Sequence, residues 1–203
     1  MCKRNKIRVT RCSSQTNING TYTLLDCARE YGVERFLQVS TDEVYGSIDE
    51  GEWTEEWPLE PRSPYSASKA SAELLVRAFQ ITHELPTLIT RCSNNIGPYQ
   101  YPEKRVPLFV TNAIDDLPLP VYGDGSQLRD HLYVEDHCKA IWKIMNGGRH
   151  GETYNIGGRC EMRNIEVVNI LCDTMDRIDP ISDGRSRREL ITFVKDRPGH
   201  DYR

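Results

Sequence analysis

The sequence predicts an α/β fold, a doubly wound parallel sheet joined to a smaller mixed lobe. Three observations carry this. A helix-period segment in the twenties, a short apolar run at 35–40, a long helix-period segment at 65–84 and a second short run at 87–90 follow one another. Helix, strand, helix, strand in this order is the pattern of a parallel sheet with right-handed crossovers and ligands at the carboxyl ends of its strands. Beyond residue 100 the expected strands become short and are separated by Pro and Gly turns. Finally, 203 residues with 38% hydrophobic and 28% charged side chains bound one domain of ordinary size or slightly more, with enough apolar residues for a core.

Each element has its own signal. Leu24, Leu25, Ala28 and Tyr31 recur at helical spacing, and Gly32 supplies the stop. The run 35–40 is apolar and partly β-branched, so it reads as a buried strand, and a loop rich in Trp, Pro and acidic residues follows over 46–64. The helix at 65–84 sets Ala72, Leu75, Val76 and Phe79 on one face, and Pro86 ends it before the strand at 87–90. Further helices are expected near 105–116, 135–147 and 164–176, and short strands at 119–122, 131–134, 153–156 and 191–194. Pro118-Leu-Pro120 and Gly123-Asp-Gly125 are the turns between them.

Composition excludes several functions. A net charge of -4 supplies no cationic field for a nucleic-acid backbone. No apolar run approaches the ~18 residues that span a bilayer, so neither membrane nor nucleic acid is expected as a partner. The first twelve residues carry five basic groups and no apolar core, which excludes a secretory signal. Seven widely spaced cysteines without a Cys-x-x-Cys pair argue against a disulfide framework or zinc finger and for the reducing cytoplasm. The five histidines are scattered with no His-Glu-x-x-His, so no metal site is expected. No Gly-x-Gly-x-x-Gly turn occurs among the 14 glycines.

Two places carry candidate chemistry. Immediately after the strand at 35–40 stands Ser40-Thr41-Asp42-Glu43-Val44-Tyr45-Gly46, a hydroxyl and two adjacent carboxylates where α/β enzymes put reacting groups. Thr41 or Asp42 serves equally well as a helix cap or an Asx-turn. The other place is Tyr65-Ser-Ala-Ser-Lys69, where positions i and i+4 share a helix face. An ammonium there stabilises the phenolate and lowers the phenol from its ordinary value of about 10. An exposed amphipathic helix accounts for the same spacing.

A strand-end hydroxyl followed one loop later by Tyr-x-x-x-Lys is the arrangement of short-chain dehydrogenase/reductase enzymes. More specifically, Thr41-Asp-Glu-Val-Tyr-Gly46, Tyr65-Ser-Ala-Ser-Lys69, Arg91-Cys-Ser-Asn-Asn-Ile-Gly-Pro98, Pro102-Glu-Lys104, Val121-Tyr-Gly-Asp-Gly125, Arg129-Asp130, Tyr154-Asn-Ile-Gly-Gly158 and Asp196-Arg-Pro-Gly-His200 together resemble the dTDP-glucose 4,6-dehydratases. These belong to the extended branch of that superfamily, and the resemblance runs from Thr16 to the last residue. Relatives acting on UDP-glucose share Thr-Asp-Glu, whereas epimerases and UDP-glucuronate decarboxylases typically lack the Asp-Glu pair here.

The resemblance implies a partial Rossmann-type sheet with NAD as cofactor, and a smaller mixed substrate-binding lobe. Residues 1–15 become a disordered or non-native start, 16–100 the second half of the NAD-binding domain, and 101–203 mostly the substrate lobe, with some elements returning to the sheet. The glycine fingerprint and the far C-terminal helical part of the family are not in this sequence, so a truncated chain, homodimeric when full length, is expected. By the resemblance, Thr41, Asp42, Glu43, Tyr65 and Lys69 are catalytic, and Ser40, Tyr65, Lys69 and Asn95 meet the cofactor. Tyr65 would be the base for the sugar 4-hydroxyl, Glu43 the base at C5 and Asp42 the acid at the 6-hydroxyl. Thr41, Asn94, Lys104, Arg105, Pro120, Val121, Tyr122, Arg129, Asn164, Asp196, Arg197, Pro198, Gly199 and His200 would bind the nucleotide sugar dTDP-glucose. Arg105 departs from the family, which often carries an apolar residue after the Lys. Two alternatives stay open: a non-catalytic remnant binding nucleotide sugar or a partner, and a UDP-glucose 4,6-dehydratase or related epimerase. The run Arg185-Ser-Arg-Arg188 is expected to be a solvated loop.

Overall fold

The computed structural model describes residues 13–196 and 200–203. In chain order its elements are α1 (Thr21–Glu30), β1 (Phe36–Thr41), α2 (Pro64–His83), β2 (Thr87–Cys92), β3 (Asn94–Ile96), α3 (Arg105–Ile114) and β4 (Leu119–Tyr122). β5 (Leu128–Tyr133), α4 (Val134–Gly147), β6 (Thr153–Ile156), β7 (Glu161–Arg163), α5 (Asn164–Ile178) and β8 (Ile191–Val194) complete it. The fold is α/β with parallel sheets. The described residues fall into two compact units, the first built from 13–93 and 135–157, the second from 94–134 and 158–203 without the three undescribed positions.

In the first unit β1, β2 and β6 form a parallel sheet in the order β1-β2-β6. The register places Thr41 beside Cys92 and Arg91 beside Asn155, so the carboxyl ends of all three strands come level. All six residues of the central strand β2 are buried, as expected of a parallel strand covered on both faces. Helix α2 starts on a capping box: Ser63 Oγ accepts from the Ser66 amide, Ser66 Oγ accepts from the Ser63 amide, and Pro64 fills the first turn. It ends at Glu84, in the left-handed region at φ 54°, two residues before Pro86. Leu25 and Ala28 from α1, Val76 and Phe79 from α2, and Leu85 and Ile89 make the core. Burying such side chains contributes roughly 1.5–3 kcal/mol each for the larger ones.

In the second unit β5 pairs parallel with β3 and antiparallel with β7, while β4 pairs parallel with β8. Phe109 and Ala113 of α3, Leu119 and Val121 of β4, and Val168 and Cys172 of α5 form its core. Gly158 lies so close to β5 that a Cβ there would meet the His131 carbonyl oxygen at 1.9 Å, so no larger residue fits.

Four expectations need correction. Ser13 and Ser14 are already helical and lead through a π-helical stretch, Gln15–Gly20, into α1, so the solvated start does not reach residue 15; residues 1–12 lie outside the described residues. The boundary expected at residue 100 falls between Ser93 and Asn94, because β3 hydrogen-bonds to β5. Strands β3 and β7 were not legible, each being only three residues long. The run Arg185-Ser-Arg-Arg188 is no solvated loop. Arg187 is 4% exposed, ion-paired with Asp176 and Asp179 and donating from Nε to the Ala113 carbonyl. Its exposed neighbours Arg185 and Arg188 pair with Asp183, Asp116 and Asp173.

Candidate active site

At the carboxyl end of β1 the chain turns through a 3-10 helix, Asp42–Tyr45. Thr41 caps it: Oγ1 accepts from the Glu43 amide at 3.3 Å and donates to Asp42 Oδ1 at 3.1 Å. The capping role foreseen for Thr41 therefore coexists with its place beside both carboxylates. Asp42 and Glu43 are half-buried, and the turn leaves through Gly46 at φ 91°. A Cβ at Gly46 would meet the Glu60 carbonyl oxygen at 2.6 Å, so glycine is required where the acidic turn rejoins the loop.

Tyr65 and Lys69 stand in the first two turns of α2. The pairing expected between them is not made: Lys69 Nζ donates to the Val39 carbonyl at 2.7 Å. The phenol is accordingly raised above its ordinary value, first by burial and then by Glu43, Cys92 and Asp42. Lys69 is lowered, chiefly by burial. The i, i+4 spacing brings the two residues onto one face, but the carboxylates, rather than the ammonium, set the field at the phenol. Ser40, 3% exposed, has a buried Oγ without a hydrogen-bond partner. This orphaned hydroxyl and the Lys69 ammonium form a donor set at the strand ends that fits the ribose and amide groups of a nicotinamide nucleotide.

Behind the turn lies a polar network that sequence reasoning missed. Arg91 and Glu73 are 2% and 0% exposed, and Arg91 donates to the carboxylate from Nε at 3.2 and 3.1 Å and from Nη2 at 2.7 Å. Arg91 Nη1 donates to the Tyr45 hydroxyl at 2.6 Å, and that hydroxyl donates to Asn155 Oδ1 at 2.8 Å. Asn155 is held in turn by Glu55 and the Trp53 carbonyl, and the Trp53 ring stacks on Tyr45 at 5.4 Å. Tyr45, the last residue of the acidic turn, is thus fixed from β2, β6, α2 and the loop. The signal was present: Glu73 interrupts the apolar stripe of α2, and Arg91 sits inside a buried strand.

The second unit gathers the nucleotide-side candidates. Asn164 Nδ2 donates to Gln127 Oε1 at 3.2 Å, Gln127 Nε2 donates to Asp196 Oδ2 at 3.0 Å, and Asp196 Oδ1 lies 2.8 Å from His200 Nδ1. The His200 ring meets Tyr122 edge-on at 6.3 Å. Tyr122, Asn164, Asp196 and His200 are therefore brought together, with Gln127 as the link that was not foreseen. Arg197, Pro198 and Gly199 lie outside the described residues. Pro120 and Val121 precede Tyr122 on β4, where Val121 turns into the core. Arg129 donates to the carbonyls of Leu128, Asp201 and Tyr202. Arg105 contacts His131, and burial together with the charge of Arg129 lowers it to about 10. Asn94 is exposed on β3 and Lys104 is exposed before α3, while the Asn95 carbonyl accepts from Gln100.

The profile of the GDP-mannose 4,6 dehydratase family matches residues 5–203. The chain belongs to that family. A dTDP-glucose 4,6-dehydratase of Xanthomonas campestris pv. campestris is 53% identical over 199 residues, covering 93% of this chain and 57% of the relative. One from Escherichia coli strain K12 is 51% identical over 208 residues, with the same coverage. Among solved structures, DesIV, the dTDP-glucose 4,6-dehydratase of Streptomyces venezuelae with NAD and TYD bound, superposes with a TM-score of 0.88 at 48% identity. That match covers 100% of this chain and 60% of DesIV. A UDP-glucuronic acid 4-epimerase from Bacillus cereus follows at a TM-score of 0.81 but only 28% identity. The chain thus spans less than three fifths of the length of the curated relatives it matches.

Proposed function

We propose that this chain carries the acid/base turn and the nucleotide-binding residues of a dTDP-glucose 4,6-dehydratase, a lyase that uses NAD. The observation that carries the reading is the placement of Asp42 and Glu43 on one capped turn at a strand end, close enough to Tyr65 for both carboxylates to act on its phenol. Elimination of water needs a base and an acid at neighbouring carbons, and an epimerase does not. Tyr65 takes the proton of the sugar 4-hydroxyl, and Thr41 holds that oxygen. Glu43 removes the C5 proton, made acidic by the neighbouring ketone, and Asp42 protonates the 6-hydroxyl so that water leaves. NAD, when bound, supplies a hydride acceptor and donor and a cationic ring whose charge opposes that of the carboxylates at Tyr65. Ser40, Tyr65 and Lys69 would hold it, and Asn95 belongs to the same reading by its motif. The identity of about half of all residues with named dehydratases supports dTDP-glucose over UDP-glucose.

In the second unit Asn94, Lys104, Arg105 and Arg129 serve the sugar diphosphate, while Pro120, Val121, Tyr122, Asn164, Asp196 and His200 serve the nucleoside. Arg197, Pro198 and Gly199 belong to the same reading by their motif. Tyr22 and Leu24 of α1 and Leu74 and Ile81 of α2, all more than half exposed, support self-association through these two helices. Among the described residues no helix is long and apolar enough to cross a membrane, and the wide spacing of the cysteines, with no Cys-x-x-Cys motif, supports a cytoplasmic setting. The test is turnover. The chain joined behind the N-terminal segment of the Xanthomonas relative, supplied with NAD and dTDP-glucose, should yield a product lighter by one water. A product of unchanged mass would instead support an epimerase.

A further inference from the structure

Strand β5 carries Arg129 and His131 on one face, two residues apart, with Asp130 on the other, where its carboxylate accepts the amides of Gly158 and Cys160. Arg105, the first residue of α3, reaches this face, and its Nη2 lies 2.9 Å from His131 Nε2. A guanidinium has no acceptor atom, so it donates and the imidazole nitrogen accepts. His131 is therefore neutral with its proton on Nδ1, which points at the Cys160 carbonyl 3.4 Å away. Burial to 5% exposure and the nearby charge of Arg105 both favour this neutral form. No carboxylate pairs with Arg105 among the described residues. A largely desolvated guanidinium that feels a second one is unfavourable alone and becomes favourable against a multiply charged anion.

We propose that His131 is a positioning residue: its neutral imidazole holds Arg105 beside Arg129, so that the Arg105 guanidinium meets the diphosphate of the nucleotide sugar. The inference rests on the nucleotide-sugar reading above and adds to it a residue that touches no substrate itself. Asn94, the register partner of His131 on β3, flanks the same position. Arg105 and His131 thus act as one element, and loss of either should have the same consequence.

The chain can be tested as it stands, because every residue involved lies in one compact unit. Calorimetric titration with dTDP-glucose, whose diphosphate charge is constant near neutral pH, should show Arg105→Leu and His131→Phe each weakening binding about tenfold, the effect of losing one charge-assisted contact. The double variant should bind no more weakly than Arg105→Leu. His131→Gln, which keeps an acceptor, should bind within about twofold of wild type. His131→Phe binding like wild type, or losses that add in the double variant, would overturn the positioning role while leaving the nucleotide-sugar reading intact. Inorganic pyrophosphate as a second probe separates the failures. If it binds in a His131-dependent way and dTDP-glucose does not bind, the nucleotide reading falls and the anion site stands. If neither binds, both fall. Should His131→Phe not fold, imidazole nitrogen NMR of the wild-type chain decides, with a neutral Nδ1–H form expected at pH 7 and a charged or Nε2–H form contradicting the arrangement.

Discussion

Glu73→Leu should weaken the first unit severely. Glu73 and Arg91 are both essentially without solvent, and Glu73 accepts three contacts from the guanidinium between 2.7 and 3.2 Å. Removing the carboxylate leaves a buried cation whose other partners are the Tyr45 hydroxyl and the Glu55 carbonyl. Breaking such a pair from one side costs about 3–5 kcal/mol, a large part of the roughly 5–15 kcal/mol that holds a domain folded. The assay is selective, because Trp53, Trp57 and Trp142, the three tryptophans of the chain, all lie in the first unit. Urea unfolding followed by tryptophan fluorescence therefore reports that unit alone. The double variant Glu73→Leu with Arg91→Met buries no unpaired charge and should recover most of the loss. A single Glu73→Leu costing less than about 1 kcal/mol, or a double variant worse than the single, would refute the claim that this pair anchors the turn.

The remaining predictions concern the reacting groups. Carbon NMR of tyrosine-labelled chain, with Tyr65→Phe as the assignment, should find the Tyr65 phenol ionising above its ordinary value of about 10. Glu43→Gln removes a negative charge that opposes the phenolate and should lower it, so an unchanged or higher value would contradict the geometry. In the chain joined to a relative's N-terminal segment, Glu43→Gln should abolish exchange of the C5 hydrogen with solvent, whereas Asp42→Asn should slow water loss. General acid–base help is worth about 10²–10⁴-fold. A substrate with fluoride at C6 should rescue only Asp42→Asn; equal rescue of both variants would mean shared or reversed roles.

Much of the fold was legible because each long element had a strong local cause. The stripe of α2, its Pro86 stop and the apolar strand before Thr41 depend on neighbours in sequence, and the expected helices beyond α1 formed within two residues of their bounds, whereas β5 begins at Leu128, three residues before the strand expected at 131–134. Strands β3 and β7 were hidden because three-residue strands are fixed by their pairing with β5, not by their own propensity. The site was legible as motifs and not as fields. The spacing from Tyr65 to Lys69 correctly put both on one helix face, but could not show that Lys69 would reach the Val39 carbonyl. Arg187 looked like surface charge because its acidic partners Asp176 and Asp179 lie on α5 and its end, eight to eleven residues earlier in the chain.

The central claim is that Asp42 and Glu43 carry out an elimination on a nucleotide sugar, and deuterium tests it most directly. The chain, completed with the N-terminal segment of its Xanthomonas relative and supplied with NAD, is given dTDP-glucose in heavy water. Glu43 as the C5 base predicts a 4-keto-6-deoxy product with solvent deuterium at C5, and no such product from Glu43→Gln. A dehydrated product with its original hydrogen retained at C5, or label at C5 undiminished in Glu43→Gln, would contradict the account.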